Sequence, residues 1–266
     1  MNGKKCDKPI VNKKMKLNES FEYYLLKKVG KTIKKYGMIE GGDRILVGVS
    51  GGKDSLSLLK ILNDRRGFYP NSYELLALHI VSNLSCEGLG DPAVLEKYFI
   101  ENGYPHKIVE MNVKMNEKGI NPYWCSRNRR RMLFEMANRL GYNKIALGHH
   151  RNDVIETLLL NMFYHAELST MLPVLRLFEG KATIIRPLYN IPESDTKKLA
   201  LIYKLPVTHC RCPLEIKKET KREMFKRMIK EIEKIHPKAG VNALRSFENV
   251  KEEYLPSSVI QKEMVI

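Results

Sequence analysis

A buried strand that runs into a glycine-rich turn and then a helix is the feature that most limits what this chain can fold into. Residues Arg44 to Val49 are an apolar run of strand length. Ser50, Gly51, Gly52, Lys53, Asp54 and Ser55 follow, and then Leu56 to Leu62 with apolar residues at helical spacing (58, 59, 61 and 62). A strand, a tight turn and a helix N-terminus make an anion site, because backbone N–H groups point outward there and the helix dipole favours negative charge. Two glycines let the backbone come close to a phosphate. Lys53 adds a positive charge, and Asp54 is a candidate magnesium ligand.

Strand and helix patterns alternate along the rest of the chain. Strands are expected near 44–49, 74–81, 106–113, 143–148 and 182–186. Helices are expected from Asn18 to Tyr36 and near 55–65, 92–102, 125–140, 152–164 and 193–203, with a last, highly charged one over 214–235. The fold class is therefore α/β, a doubly wound and mainly parallel sheet with helical N- and C-terminal extensions. Residues 1–16 read as a flexible basic arm, 17–250 as the main domain, and 251–266 as a weakly structured tail. In such sheets ligands bind at the carboxyl ends of strands. A second strand end of that kind is Asn143 to Gly148, leading through His149, His150 and Arg151 to Asn152 and Asp153, either of which can cap the next helix.

Charge narrows the partner. The 266 residues carry 46 Lys and Arg against 30 Asp and Glu, a formal charge of +16, which favours a polyanion, nucleic acid before an anionic membrane. The charged N-terminus lacks the apolar stretch of a secretory signal, and no run approaches the roughly 18 apolar residues of a spanning helix. A cytoplasmic protein is expected. Five cysteines are too few and too scattered for a disulfide scaffold, so metal binding or chemistry is the better reading of a cluster.

The turn is not a Walker A loop, which would need four residues between its glycines and Ser or Thr after the lysine. It has instead the SGGxDS form of the PP-loop, found in enzymes that split ATP between its α- and β-phosphates. The wider segment Lys35 to Ser55 resembles the opening of the tRNA 2-thiocytidine synthetases. Cys125 to Arg130, Ala146 to Asp153, Asn161 to Tyr164, Ile185 to Leu188 and the pair Cys210 and Cys212 are similar to that family's later motifs in the same order. The resemblance covers roughly residues 18–255.

It implies an adenine nucleotide α-hydrolase fold and an ATP-dependent tRNA sulfurtransferase. Such enzymes adenylate the carbonyl oxygen of cytidine-32 and replace it with sulfur. Ser50, Gly51, Gly52, Lys53, Asp54, Ser55, His79, Gly148 and Asp153 would then bind ATP, with Asp54 holding Mg2+. Asp54, Cys125 and Cys210 would be catalytic. Cys125, Cys210 and Cys212 would hold a 4Fe–4S cluster through three thiolates, leaving one iron open. Two departures mark this chain. Pro122 stands where the family has the first cysteine of its first pair, and Cys210 and Cys212 are one residue closer than the family's second pair. The ligand split becomes one and two. A zinc site from Cys125, His209, Cys210 and Cys212, or a cluster-free persulfide route through the same thiols, stays open. Cys6 and Cys86 are not expected to be ligands. Arg127, Arg129, Arg130 and Arg131 beside Cys125 are the candidate RNA contacts; the charges of 214–235 read equally well as a solvated face. The implied partners are tRNA and a sulfur donor (persulfide or sulfide), and the family suggests a homodimer. A PP-loop ligase acting on another carbonyl, or an inactive nucleotide- and RNA-binding protein, are the competing functions.

Overall fold

A computed structural model describes residues 10–66, 72–82, 92–111, 122–180, 182–208 and 220–255, with side chains omitted for 10–17 and 122–124. It contains two compact units. One comprises residues 1–151 with 171–218, the other 152–170 with 219–266.

The first unit holds the sheet. β1 (Arg44–Gly48), β2 (Glu74–Ser82), β3 (His106–Met111), β4 (Lys144–Ala146) and β6 (Ala182–Ile185) are parallel, and β5 (Val174–Leu177) pairs antiparallel with β6. The order is β3-β2-β1-β4-β6-β5. The connections step outward from β1 to β2 and β3, and then return to β1's other side with β4. Such a reversal opens a crevice at the carboxyl ends of β1 and β4. Ile45, Leu46 and Val47 are all fully buried, although successive side chains point to opposite faces, so both faces of β1 are covered. α4 (Pro122–Leu140) covers the face that carries Leu46, Leu78, Ile80 and Ile145, through Leu133, Met136, Ala137 and their neighbours. α2 (Lys53–Arg65) packs on β1 and β2 and buries Leu56, Leu58, Leu59, Ile61 and Leu62. α1 (Ile10–Lys35) and α6 (Glu193–Ile202) pack with it in the same layer, α1 presenting Leu25, Val29 and Ile33 at helical spacing. α3 (Pro92–Glu101) buries Leu95 and Phe99.

At the amino ends of the strands a polar knot around the buried Asp43 fixes β1 against β4. The Asp43 carboxylate accepts from the Glu40 N–H (2.6 Å) and from Asn143 Nδ2 (2.7 Å), and pairs with Lys144 Nζ (2.7 Å). Asn143 Oδ1 in turn accepts from the Arg44 N–H.

The second unit is helical: α5 (Arg151–Tyr164), α7 (Lys221–Ile235) and α8 (Ala239–Arg245). Phe225 of α7 meets Phe163 and Tyr164 of α5, Arg222 donates to Thr157, and Lys221 lies over Tyr164. α7 starts with a capping box between Thr220 and Glu223. Several of the charges expected over 214–235 are thus spent inside this unit; residues 214–219 lie outside the described residues.

The differences from the sequence reading lie at element ends and in the edge strand. α1 begins at Ile10, inside the expected arm, since no breaker separates Ile10 from Asn18. α2 begins at Lys53, two residues before the expected start at 55, which puts Lys53 and Asp54 in its first turn. α4 begins at Pro122, a favoured first helical residue. β5 was not anticipated. It is four residues long, and its turn uses Phe178 (φ 52), Glu179 (φ 56) and Gly180 (φ 87), without the Asn-Gly or Asp-Gly pair that signals a hairpin. No described helix is long and apolar enough to cross a membrane.

Candidate functional site

The loop after β1 is braced from within. The Ser50 N–H donates to Ser55 Oγ (3.1 Å), Ser55 Oγ donates to the Gly52 carbonyl (2.9 Å), and the Gly52 N–H reaches Ser50 Oγ (3.3 Å). The two hydroxyls therefore hold the loop's shape. Gly52 is the N-cap of α2 and has no side chain to cap with, so the first-turn N–H groups of Lys53, Asp54 and Ser55 are the donors left to meet an anion. Gly51 has φ +87, and a Cβ there would fall 2.2 Å from Thr208 Oγ1. The Thr208 N–H also donates to the Gly51 carbonyl (2.9 Å), so the chain after α6 is tied to the loop.

Gly148 explains why the second strand end matters. A Cβ at Gly148 would lie 2.9 Å from the Ser55 nitrogen and 3.0 Å from both the Asp54 carbonyl carbon and Ser55 Cα. Only glycine lets the end of β4 touch the first turn of α2. Its part is to seat the loop.

Lys53 and Asp54 are side by side and not alone. Lys53 Nζ is 2.8 Å from Asp54 Oδ2 and 3.0 Å from Glu193 Oε1. Thr196 Oγ1 donates to Asp54 Oδ1 at 2.6 Å, and His150 Nε2 is 3.8 Å from Asp54 Oδ2. Burial pulls the Lys53 ammonium down, but the bonds to Asp54 and Glu193 outweigh it and the net shift is upward, so the lysine stays charged. Glu193 and Thr196 are the site residues the sequence reading missed. A Pro-Glu pair opening a helix looks like an ordinary N-terminus, and nothing local ties it to a loop so far away in the chain.

His79 is buried, and its Nδ1 donates to the Val49 carbonyl (2.8 Å), which sets the tautomer. Burial holds its pKa below the ordinary value, with the Arg129 charge adding to the effect. The ring is a neutral brace between β2 and the segment entering the loop. Farther along the strand ends, Arg186 is buried at the end of β6. It donates through Nε to His149 Nδ1 (3.3 Å) and through a terminal nitrogen to the Leu172 carbonyl (2.5 Å). Burial and the nearby Arg130 charge lower its pKa.

Cys125 is half-buried in the first turn of α4, against the sheet core, and is the free cysteine among the described residues. Arg129, one helical turn on, has a buried Nε with no hydrogen-bond partner, while Arg127, Arg130 and Arg131 are exposed. Arg131 is occupied by Glu135 (2.6 Å), an i,i+4 pair. Asp153 lies in the first turn of α5, in the second unit. Cys210 and Cys212 lie outside the described residues, as do Cys6, Cys86 and His209. Among the described residues, no group of three His, Cys, Asp or Glu is placed to hold a metal ion.

A braced glycine loop at the sheet's reversal point, opening an uncapped helix with Lys and Asp in its first turn, defines a PP-loop nucleotide site, and the PP-loop domain model matches residues 21–208. The chain is 35% identical over 259 residues to a tRNA-cytidine(32) 2-sulfurtransferase of Geobacter sulfurreducens, covering 93% of this chain and 98% of that one. It is 38% identical over 242 residues to the protein of the same name from Polynucleobacter asymbioticus, covering 88% and 78%. The fold is also that of the U34-tRNA thiolase NcsA from Methanococcus maripaludis, a structure that contains a [4Fe-4S] cluster, with TM-score 0.73 at 23% identity over 90% and 82% of the two chains. The chain belongs to the tRNA 2-thiocytidine synthetase family, the tRNA-cytidine(32) 2-sulfurtransferases, and is with them an ATP-dependent sulfurtransferase.

Proposed function

We propose that this protein activates C2 of cytidine-32 in tRNA with ATP and replaces its oxygen with sulfur. The observation that carries the reading is the open first turn of α2, with Lys53 and Asp54 in it, in a chain that matches nearly the whole length of a sulfurtransferase with that specificity. The base oxygen attacks the α-phosphorus, the bond to the β-phosphate breaks, and pyrophosphate leaves. The N–H groups of Lys53, Asp54 and Ser55 and the Lys53 ammonium neutralise the leaving charge. The Asp54 carboxylate suits Mg2+, which takes one or two carboxylates and completes its shell with phosphates and water. A sulfur nucleophile then attacks the same carbon, and AMP departs with the original oxygen.

Cys125, Cys210 and Cys212 supply the thiolate set an iron–sulfur cluster takes. Cys125 is the one of the three whose surroundings are described, half-buried on the sheet and followed by Arg129. A cluster held by these three thiolates would supply an open iron for a sulfide. Pro122 starts α4 where the family has a cysteine, so the second pair contributes two ligands. The positive surface carries tRNA, with Arg127, Arg129, Arg130 and Arg131 of α4 as the contacts that follow the thiol, and the sulfur donor is of the persulfide or sulfide class. A cytoplasmic homodimer completes the proposal.

Nucleoside mass spectrometry of tRNA from cells lacking the gene tests this. Loss of 2-thiocytidine, restored by the wild-type gene and not by Asp54→Ala, is the expected result; an unchanged 2-thiocytidine level refutes the substrate. Protein purified without oxygen should carry iron and the visible absorbance of the cluster, and a colourless, iron-free, active enzyme refutes the cluster.

A further inference from the structure

The first turn of α6 meets the first turn of α2, and two side chains cross between them. Glu193 is the first residue of α6, where a carboxylate ordinarily faces water and complements the helix dipole. Here it is only 9% exposed, with Oε1 3.0 Å from Lys53 Nζ. A buried carboxylate is costly unless paired, and Lys53 is its pair. Thr196, one turn on, is fully buried and has one hydroxyl proton for two acceptors, Asp54 Oδ1 at 2.6 Å and the Glu193 carbonyl at 3.0 Å. The shorter, ionised acceptor takes it. The Ser57 hydroxyl reaches the Thr196 carbonyl and ties the two helices together.

We propose that Glu193 and Thr196 are positioning residues for the adenylation step, with Glu193 setting the Lys53 ammonium and Thr196 setting the Asp54 carboxylate. The inference rests on the ATP reading of the loop given above. Nothing in α2 itself can do this work. Gly52 has no side chain, and the hydroxyls of Ser50 and Ser55 are committed within the loop. Lys53 has a long flexible stem, and left to itself would close fully on its neighbour Asp54. Glu193 shares the ammonium between two carboxylates, so Asp54 is not neutralised. Thr196 occupies Oδ1 of Asp54 and so fixes the direction in which Oδ2 meets a cation. The Thr196 contact therefore acts on the magnesium dependence of nucleotide binding, and the Glu193 contact acts on the chemical step more than on binding.

The test uses the full chain. Binding of α,β-methylene-ATP is titrated against magnesium without tRNA, and AMP release is measured with tRNA at saturating ATP and magnesium. Thr196→Val, nearly isosteric, should raise the half-saturating magnesium concentration about 10-fold, and Thr196→Ser should bring it back to within about 2-fold of wild type. Glu193→Gln should cut the AMP rate at saturation by about 10- to 100-fold while the analogue's Kd stays within about 3-fold. A purely structural role would lower the melting temperature without separating magnesium dependence or rate from analogue binding. Wild-type magnesium dependence in Thr196→Val, or a wild-type AMP rate in Glu193→Gln, overturns the proposal. If Thr196→Val does not fold, Glu193→Gln, which keeps its volume, decides alone. If tRNA proves not to be the substrate, the magnesium titration still supports or overturns the positioning role, so the two readings fail separately.

Discussion

Gly148→Ala tests the seating of the loop with one added carbon. Its Cβ would sit 2.9 Å from the Ser55 nitrogen and 3.0 Å from Ser55 Cα and the Asp54 carbonyl carbon. Non-bonded carbon contacts settle near about 3.5–4.0 Å, so β4 and the first turn of α2 must part by about 0.5–1 Å. The obstacles are backbone atoms and cannot rotate away. Overpacking of this kind costs about 1–3 kcal/mol, or roughly 2–12 °C in melting temperature for a unit of this size. The functional loss should be larger, because the displaced atoms are the N–H donors themselves, and a shift near 1 Å costs on the order of 100-fold in rate. The control is Gly103→Ala. Gly103 has φ +64 and open space around the added carbon, so alanine there brings backbone strain of about 1–2 kcal/mol without displacing the loop. Melting curves and AMP release from ATP with tRNA should show both variants destabilised and only Gly148→Ala slowed. A Gly148→Ala enzyme with the wild-type AMP rate would refute the claim that close seating of α2 on β4 sets the anion site.

Three further outcomes are expected. Asp43→Ala leaves the half-buried Lys144 without its partner at the far end of the strands, and urea unfolding should show a loss of about 1–3 kcal/mol while nucleotide affinity in the folded protein holds. His79 titrates lower in the folded protein than its ordinary 6.5, so below that pH the unfolded chain binds more protons and stability must fall as pH falls. That one group contributes a slope of at most about 1.4 kcal/mol per pH unit, and urea titrations from pH 7.5 down to about 5.5 should show the slope reduced in His79→Gln. Arg130→Ala should lower the salt dependence of tRNA binding by about one unit of log K against log salt, and an unchanged slope would remove Arg130 from the phosphate contacts.

Most of the sheet was legible in the sequence because its signals are local. β1 and β2 are near-continuous apolar runs, and the helices of the sheet layer carry 3.6-residue spacing. The edge strand β5 was not legible, since three half-buried residues around the exposed Arg176 and a turn built on Phe178 and Glu179 leave no pattern to read. Helix starts were read late at Lys53 and Pro122, where the chain is already helical before its apolar face begins. The nucleotide-site residues divide the same way. Ser50 to Ser55 announce themselves by type and order, but their division of labour does not: Ser50 and Ser55 brace, while Lys53 and Asp54 face outward to partners. What His79 and Gly148 hold in place is not visible in their local sequence: His79 donates to the Val49 carbonyl, and Gly148 abuts the backbone of Asp54 and Ser55.

By itself, then, the sequence determined the strand, the loop, the helix that opens the anion site, and the excess of positive charge. Those properties belong to neighbouring residues and to composition. Tertiary structure alone decided that Gly148 touches Ser55, that Thr208 closes on Gly51, and that Glu193 and Thr196 hold Lys53 and Asp54. The partners Thr196 and Asp54 are 142 residues apart. They meet because β4 inserts beside β1 and β6 beside β4, which brings the start of α6 back over the start of α2. Local periodicity carries no information about that order; it is set by which apolar faces bury one another across the whole sheet.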